Sequence, residues 1–453
     1  MIKEEADSFV FQQINFGEGF VLRLPGKFAH APQNRHPEGA MKAGQPAAPH
    51  EEYLTAGCSE TSAPKKGPKG GPDGSKANGA AVFATTGGHR APAHHQYPDG
   101  PLLALVAGLF FLGQLLQLSL GQPGEAEKQL LIAVLAVVVG CAAYFVGFTV
   151  LGKAPKLLFL ALCAVTVAAF FFSRRSRGMP VDVNYILLLF PAVYAGFVYG
   201  MRNKGYRAIV VCSLVFLFPL ICALLVPNSG VFFLLVVSYL VITTAAVVKG
   251  WFQVKRKPAL LLVFLPALFL TGTWLLIELV TCGTGRLGVV LHPALDPQGA
   301  GYVDTVTRQL ISAARLVGKG RPVEGVAANE IAQALPGIRT DHLLTYVTYL
   351  FGWVALVAIA ALFVAVIARA AVLCKRQKSP LAQLVAVAII TAQAAQVLLY
   401  AMTNLGFSLF QVPSLPLIAS GGLALVVNML FMGLLFSALK TGMRQKRQCG
   451  TAP

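Results

Sequence analysis

Charged residues are scarce in this sequence, since Asp, Glu, Lys and Arg make up 12% of its 453 residues. Soluble globular domains contain about 25% of these residues, so the composition argues against a soluble enzyme of this length. Hydrophobic residues instead reach 56%. Length alone would allow about three soluble domains, but this composition predicts one large membrane domain.

Several common functional motifs are also missing. The eight cysteines form no CxxC pair and most lie in apolar runs, so we expect no disulfide framework and no zinc site. No HExxH or GxSxG motif occurs. The segment Gly283–Gly288 matches GxGxxG, but it follows a predicted membrane helix instead of a strand, which argues against a dinucleotide site.

Acidic residues are rare in the apolar part of the chain. Residues 1–100 hold ten basic and ten acidic residues, so the whole net charge of +18 lies in residues 101–453. The basic residues there sit in short loops between apolar runs, a pattern of membrane topology; we therefore expect no nucleic-acid partner. Residues 1–100 are rich in Gly, Pro, Ala and Ser, which predicts a disordered cytoplasmic tail.

Ten apolar runs are long enough to cross a bilayer as helices. Their predicted bounds are 101–120, 129–150, 156–172, 184–201, 207–226, 230–248, 259–280, 343–368, 381–404 and 416–438. The fold prediction is an all-α integral membrane protein, with a membrane domain at 101–440 and a basic cytoplasmic C-terminus at 441–453. A large outer loop at about 281–342 separates helices seven and eight, and loops of this length are often functional.

The distribution of basic residues predicts the orientation. With a cytoplasmic N-terminus, the inner loops and the C-terminus hold 17 basic residues and no acidic ones, as the positive-inside rule requires. Both termini are then cytoplasmic, and any carboxylate that acts as a general base works on the outer face. The helix centres are almost free of ionisable groups, which weakens a transporter interpretation.

Outer-face side chains give the first candidates for a site. Arg174, Arg175 and Arg177 stand on the side where positive charge is not expected; they either contact headgroups or bind a phosphate or pyrophosphate. Glu278 is either an interfacial carboxylate or lines an outer cavity. Asp341 is either an acid in the first turn of the eighth helix, favoured by the helix dipole, or a catalytic group.

Several segments then resemble, in order, motifs of the SEDS family (shape, elongation, division and sporulation), whose members include RodA, FtsW and SpoVE. The matching segments are Arg286 with His292–Tyr302, Gln309 and Gly318–Gly320; Leu335–Asp341 (LPGIRTD), similar to LPExHTDF; Leu415–Gly422 (LPLIASGG), similar to LPFISYGGS; Val226–Gly230 (VPNSG), similar to QPDLG; and, more faintly, Pro180–Asp182.

The resemblance implies a peptidoglycan glycosyltransferase of the bacterial cytoplasmic membrane. Such enzymes polymerise lipid II on the outer leaflet, usually beside a class B penicillin-binding protein, in elongation, division or sporulation. The family Asp of the TD motif, the presumed base, corresponds to Asp341. Substrate contacts to the lipid pyrophosphate are expected from a wider set of residues. This set is Arg174, Arg175, Arg177, Arg286, Arg339, Asp182, Glu278, Gln309, Ser420, Gly421 and Gly422. No cofactor is evident, and a role for Mg²⁺ or Mn²⁺ is left open.

The sequence also departs from the family pattern. Tyr346–Gly352 replaces a stretch that carries a Glu pair, His342 replaces Phe, and Tyr400 and Leu409 stand where the family has Asn and Pro. Two other functions therefore stay open at this stage. One is a scaffold that binds lipid II or a penicillin-binding protein without catalysis, and the other is a flippase for the lipid-linked precursor.

Overall fold

The computed structural model describes most of the chain beyond the N-terminal tail. The described residues are 98–120, 125–175, 183–225, 229–280, 286–296, 299–323, 335, 337–410, 414–418 and 422–440. The predicted disordered tail at 1–100 lies outside these ranges up to residue 97, and its last residue, Gly100, begins the first helix instead. The predicted basic C-terminus at 441–453 also lies outside these ranges.

The described part of the chain is built from helices. Their bounds are α1 Gly100–Leu120, α2 Glu125–Val146, α3 Val150–Lys153, α4 Pro155–Arg175, α5 Val183–Leu187, α6 Phe190–Gly200, α7 Tyr206–Leu224, α8 Ser229–Val248, α9 Arg256–Val280, α10 Arg286–Leu291, α11 Ala300–Ala313, α12 Leu343–Phe351, α13 Trp353–Lys375, α14 Pro380–Asn404 and α15 Gly422–Lys440. Two short 3₁₀ turns lie at Pro293–Leu295 and Ser408–Phe410.

Ten stretches of these helices are long and apolar enough to cross a membrane. The prediction of an all-α multi-pass membrane protein is confirmed. The fourth span is interrupted, because Leu188 and Leu189 form a turn between α5 and α6. The last span begins at Gly422, so residues 416–418, predicted as its first turn, belong instead to the preceding loop.

The eighth span differs most from its prediction of 343–368. The chain breaks at Gly352, which has φ +93°, so α12 and α13 are separate helices. A Cβ at this position would lie 2.4 Å from the carbonyl oxygen of Leu316. Only glycine allows this close approach in that backbone conformation, and the sequence of the span alone does not reveal the neighbour.

Helix α14 lies at the centre of the bundle and contacts α6, α8, α13 and α15. Helix α15 packs closely on α2, where a Cβ on Gly433 would lie 2.1 Å from the carbonyl oxygen of Gly140. Small residues let membrane helices approach in this way. Buried residues of α14 run from Leu381 in its first turn to Asn404 at its end.

Residues 286–323 form a cap at the end of the bundle where α1, α9 and α14 finish. Its segment 315–318 runs beside the α12–α13 junction: Trp353 N–H donates to the Arg315 carbonyl at 3.0 Å, and Gly318 N–H donates to the Phe351 carbonyl at 3.1 Å. The Gly318–Gly320 motif therefore has a structural role in attaching the cap. This end of the bundle is called the cap end below.

Two side chains of α11 fasten the cap to the turn that follows α14. The Arg308 guanidinium donates to the Gly406 carbonyl at 3.0 and 3.1 Å and to the Val290 carbonyl at 3.1 Å. Asp304, which is 1% exposed, accepts a hydrogen bond from the Ser408 hydroxyl at 2.7 Å. The cap end is thus held together by contacts to backbone and hydroxyl groups.

Candidate active site

Asp341 lies in a tight turn that precedes α12. The carbonyl of Gly337 accepts hydrogen bonds from the N–H groups of Thr340 at 3.0 Å, Asp341 at 2.7 Å and His342 at 3.2 Å. Helix α12 begins at Leu343 with His342 as its N-cap. Asp341 therefore precedes the helix and does not lie in its first turn, which corrects the first of the two sequence interpretations. The Asp341 side chain is half-buried, so it is held by protein while remaining accessible.

Gly337 allows this turn to close. Its φ is +70°, and a Cβ there would lie 3.0 Å from the Thr340 hydroxyl and 3.2 Å from an Asp341 carboxylate oxygen. Glycine adopts such a conformation without the steric cost that other residues meet. The glycine of LPGIRTD therefore sets the place of the Asp341 carboxylate.

Gln117, near the end of α1, connects two segments that sequence motifs single out. Its side-chain amide donates to the carbonyl of Arg339 and to the carbonyl of Ile418, both at 3.2 Å. The same helix receives the 414–418 loop closely, because a Cβ on Gly113 would lie 2.6 Å from the Leu417 carbonyl oxygen. The LPGIRTD turn and the LPLI loop thus meet at α1, although about 75 residues separate them in the printed sequence.

The other described candidates also lie at the cap end. Glu278 is in the last turn of α9, where its carboxylate accepts a hydrogen bond from the Leu287 N–H of α10 at 3.3 Å. Arg339 is part of the Asp341 turn, and Gln309 is exposed on α11. Gly422 is the first residue of α15.

The remaining predicted residues are described in part or lie outside the described ranges. For Arg174 and Arg175 at the end of α4, and for Arg286 at the start of α10, the backbone alone is described. Arg177, Asp182, Ser420 and Gly421 fall outside the described residues. Their proposed substrate contacts stay predictions.

His342 follows Asp341 in the chain but, unlike Asp341, is buried. Its side chain is 4% exposed, and burial lowers its pKa from 6.5 to about 4. It is therefore neutral at pH 7 and inaccessible to a substrate. Asp341 is then the better candidate for a group of this turn that exchanges a proton with a bound substrate.

Three polar residues at this site were not foreseen from the sequence. The sequence does not predict the role of Gln117, because a single Gln in an apolar run can have many structural roles. Tyr400 departs from the family pattern, and nothing in the sequence distinguishes Asn404 from other polar residues. Both contact the Asp341 turn from α14. Their spacing of four residues places them on one helix face. This spacing is the sequence feature from which a shared role could have been predicted.

The described residues contain no group of three His, Cys, Asp or Glu side chains close enough to hold a metal ion. The role for Mg²⁺ or Mn²⁺ that the sequence leaves open stays a prediction.

Comparison with known families gives a match over more than half of the chain. The family model for FtsW, RodA and SpoVE, described as "Cell cycle protein", matches residues 183–443. The chain belongs to this family, the SEDS family. The membership supports a function in peptidoglycan polymerisation and, in general terms, glycosyltransferase activity. No curated protein sequence matches the chain significantly.

Solved structures share the fold of this chain. One is a chain from a peptidoglycan synthase complex that coordinates polymerization and crosslinking, with TM-score 0.61 and 19% identity over 77% of this chain and 99% of that chain. Another is a mutant of the rod shape determining protein RodA from Thermus thermophilus, with TM-score 0.50 and 15% identity over 76% of this chain and 97% of that chain. At these identities the likeness concerns the fold alone.

Proposed function

We propose that this protein polymerises lipid II on the outer face of the bacterial cytoplasmic membrane, with Asp341 as the general base. The observation that carries the proposal is the fixed turn at the cap end. It holds Asp341 half-buried and is joined by Gln117 to the second family-like loop. The cap end is the outer face when the orientation follows the positive-inside rule.

The chemistry needs one proton acceptor and one anion-stabilising region. A sugar hydroxyl of the acceptor attacks the anomeric carbon of the donor, and the bond from that carbon to the pyrophosphate oxygen breaks. The Asp341 carboxylate takes the hydroxyl proton as the new glycosidic bond forms. The lipid pyrophosphate leaves with the electron pair of the broken bond.

Arginines supply the positive charge that the leaving pyrophosphate needs. Arg339 is two residues from Asp341 in the same turn, and Arg286 opens α10 of the cap. Arg174 and Arg175 end α4, which the alternation of spans brings to the same side of the membrane. Guanidinium groups can bind phosphate oxygens through two parallel hydrogen bonds, so these residues suit a pyrophosphate better than a neutral sugar.

A partner completes the proposal. We propose that a class B penicillin-binding protein binds this chain and crosslinks the strands that it makes. The structural similarity to a chain of a peptidoglycan synthase complex supports an assembly of this kind. Both termini of the chain are proposed to be cytoplasmic.

The experiment is to incubate the purified protein with lipid II, with and without the cognate class B penicillin-binding protein, and to separate the glycan strands by gel electrophoresis. We expect polymer from the wild type and none from Asp341→Ala. Folded protein that binds lipid II but forms no polymer in either condition would contradict the proposal and favour the scaffold. Translocation of lipid II without polymer would favour the flippase.

A further inference from the structure

The first turn of α12 has backbone groups that its own sequence does not satisfy. The opening N–H groups of a helix have no partner within that helix and need an external acceptor. The N-cap residue of α12, His342, makes no side-chain capping hydrogen bond. The acceptors for Leu343 and Thr345 come instead from α14, which lies about 60 residues further along the chain.

Tyr400 contacts both sides of the Asp341 turn. Its hydroxyl donates to the Thr340 carbonyl at 2.7 Å and accepts from the Leu343 N–H at 3.1 Å. The Tyr400 side chain is 0% exposed. One buried hydroxyl therefore bridges the residue before Asp341 and the first residue of α12.

Asn404 makes a second bridge one helical turn further along α14. Its amide N–H donates to the Asp341 carbonyl at 2.9 Å, and its amide oxygen accepts from the Thr345 N–H at 3.0 Å. The Thr345 hydroxyl donates in return to the Asn404 carbonyl at 2.8 Å. Asn404 is 2% exposed, so water cannot readily replace these contacts.

We infer that Tyr400 and Asn404 are positioning residues for Asp341: together they fix the backbone on both sides of the carboxylate that takes the proton. The inference rests on the proposed function. The four hydrogen bonds that their side chains make to the backbone of residues 340–345 come from one face of the central helix of the bundle. A buried helix is a more rigid support than a surface loop, and a displacement of about 1 Å at a reacting group can lower a rate about a hundredfold.

The kinetic test uses Tyr400→Phe and Asn404→Ala in the lipid II polymerisation assay, with Thr403→Val as the matched control. Thr403 is a buried neighbour on α14 whose hydroxyl donates to its own helix at the Leu399 carbonyl. We expect kcat to fall about tenfold in Tyr400→Phe and about a hundredfold in Asn404→Ala. KM should stay close to the wild-type value in both, because neither side chain contacts the substrate. The control should keep both constants.

A second readout does not depend on activity. Hydrogen–deuterium exchange in nanodiscs should show faster exchange of the amides of Leu343 and Thr345 in the two variants, while peptides from α2 and α15 stay protected. This comparison separates loss of the turn from general unfolding.

Unchanged exchange at residues 337–345 would overturn the inference, as would faster exchange with an unchanged kcat. A rise in KM equal to the fall in kcat/KM would also overturn it, because it would indicate a binding role. If the folded wild type makes no polymer at all, the proposed function fails and the catalytic part of the inference fails with it. The exchange data would still decide whether α14 holds the turn.

Discussion

Two helices, α14 and α9, each bring polar groups to the cap end, but they are supported very differently. In the apolar stretch of α14, 56% of the residues are buried, against 11% in that of α9. Burial in α14 continues to its last turn, where Tyr400 and Asn404 are inaccessible. The buried residues of α9 are Ala259, Val263 and Ala267, all in its first half, and Glu278 lies well beyond them.

The difference indicates which carboxylate is held in a fixed place. Asp341 is in a turn whose backbone is bonded to a buried helix, whereas Glu278 sits on a helix end whose neighbours Ile277 and Leu279 are exposed. A general base must keep its geometry within a few tenths of an ångström. We call the Asp341 turn and its contacts to α14 the α14 side, and Glu278 with its contact to α10 the α9 side. The geometry of the α14 side suits catalysis, whereas that of the α9 side suits contacts that tolerate movement.

Gly337→Ala removes no polar side chain, yet we expect it to disturb the α14 side strongly. The new Cβ would press on Thr340 and on the Asp341 carboxylate, so we expect polymerisation to fall about a hundredfold. The matched control is Gly318→Ala, which has a similar φ of +79° but nothing within 4 Å of a Cβ. Both variants should lose about 1 kcal/mol of stability from backbone strain. Equal activities in the assay would contradict this account.

Much of the fold was predictable because it depends on length and hydrophobicity. Ten runs of about 20 apolar residues predict ten spans, and the structure confirms a helical multi-pass protein. The break at Gly352 was not predictable, because its cause is the close approach of Leu316 from another part of the chain. Local patterns do not contain such contacts.

The site was predictable only as far as motifs extend. Asp341 and the LPLI loop were found through ordered family-like segments, but the groups that hold them were not. Gln117 and Asn404 are single polar residues in apolar helices, and their roles depend on which backbone groups they face. Tyr400 departs from the family residue at its position, yet its hydroxyl bonds directly to the turn.

Burial of His342 on the α14 side predicts that the protein loses stability as the pH falls. His342 has a folded pKa of about 4 against an ordinary 6.5 because burial disfavours its charged form. The unfolded chain therefore binds the proton more readily, so this stability is present above pH 6.5 and is lost as the pH falls from 6.5 towards 4. Between pH 8 and pH 5 the loss is about 2 kcal/mol. Unfolding in detergent should show it.

His342→Phe is the control for that measurement. The variant should remove this part of the pH dependence while leaving the Asp341 turn bonded to α14. An identical pH dependence in wild type and variant would show that other groups cause it.

The smallest expected effect concerns the attachment of the cap. Arg308→Ala removes three hydrogen bonds that join α11 to the α14 side and to α10; because Arg308 is exposed, we expect a loss of about 1 kcal/mol. Glu278→Ala removes the hydrogen bond that its carboxylate accepts from the Leu287 N–H of α10 at 3.3 Å. This bond is longer than those of Arg308, so its loss should cost less. Thermal unfolding of the two variants side by side measures the difference. A larger loss of stability in Glu278→Ala than in Arg308→Ala would contradict the conclusion that the α14 side is the better supported of the two.

The most direct test of the central claim is the steady-state rate of lipid II polymerisation by Asp341→Asn and Glu278→Gln, prepared and reconstituted together. Both changes remove one negative charge and keep the shape of the side chain. We expect Asp341→Asn to lower kcat by about a hundredfold to ten-thousandfold, the range for loss of a general base. Glu278→Gln should change KM and leave kcat within about threefold, as loss of a binding contact does. A kcat that survives in Asp341→Asn but collapses in Glu278→Gln would contradict the account.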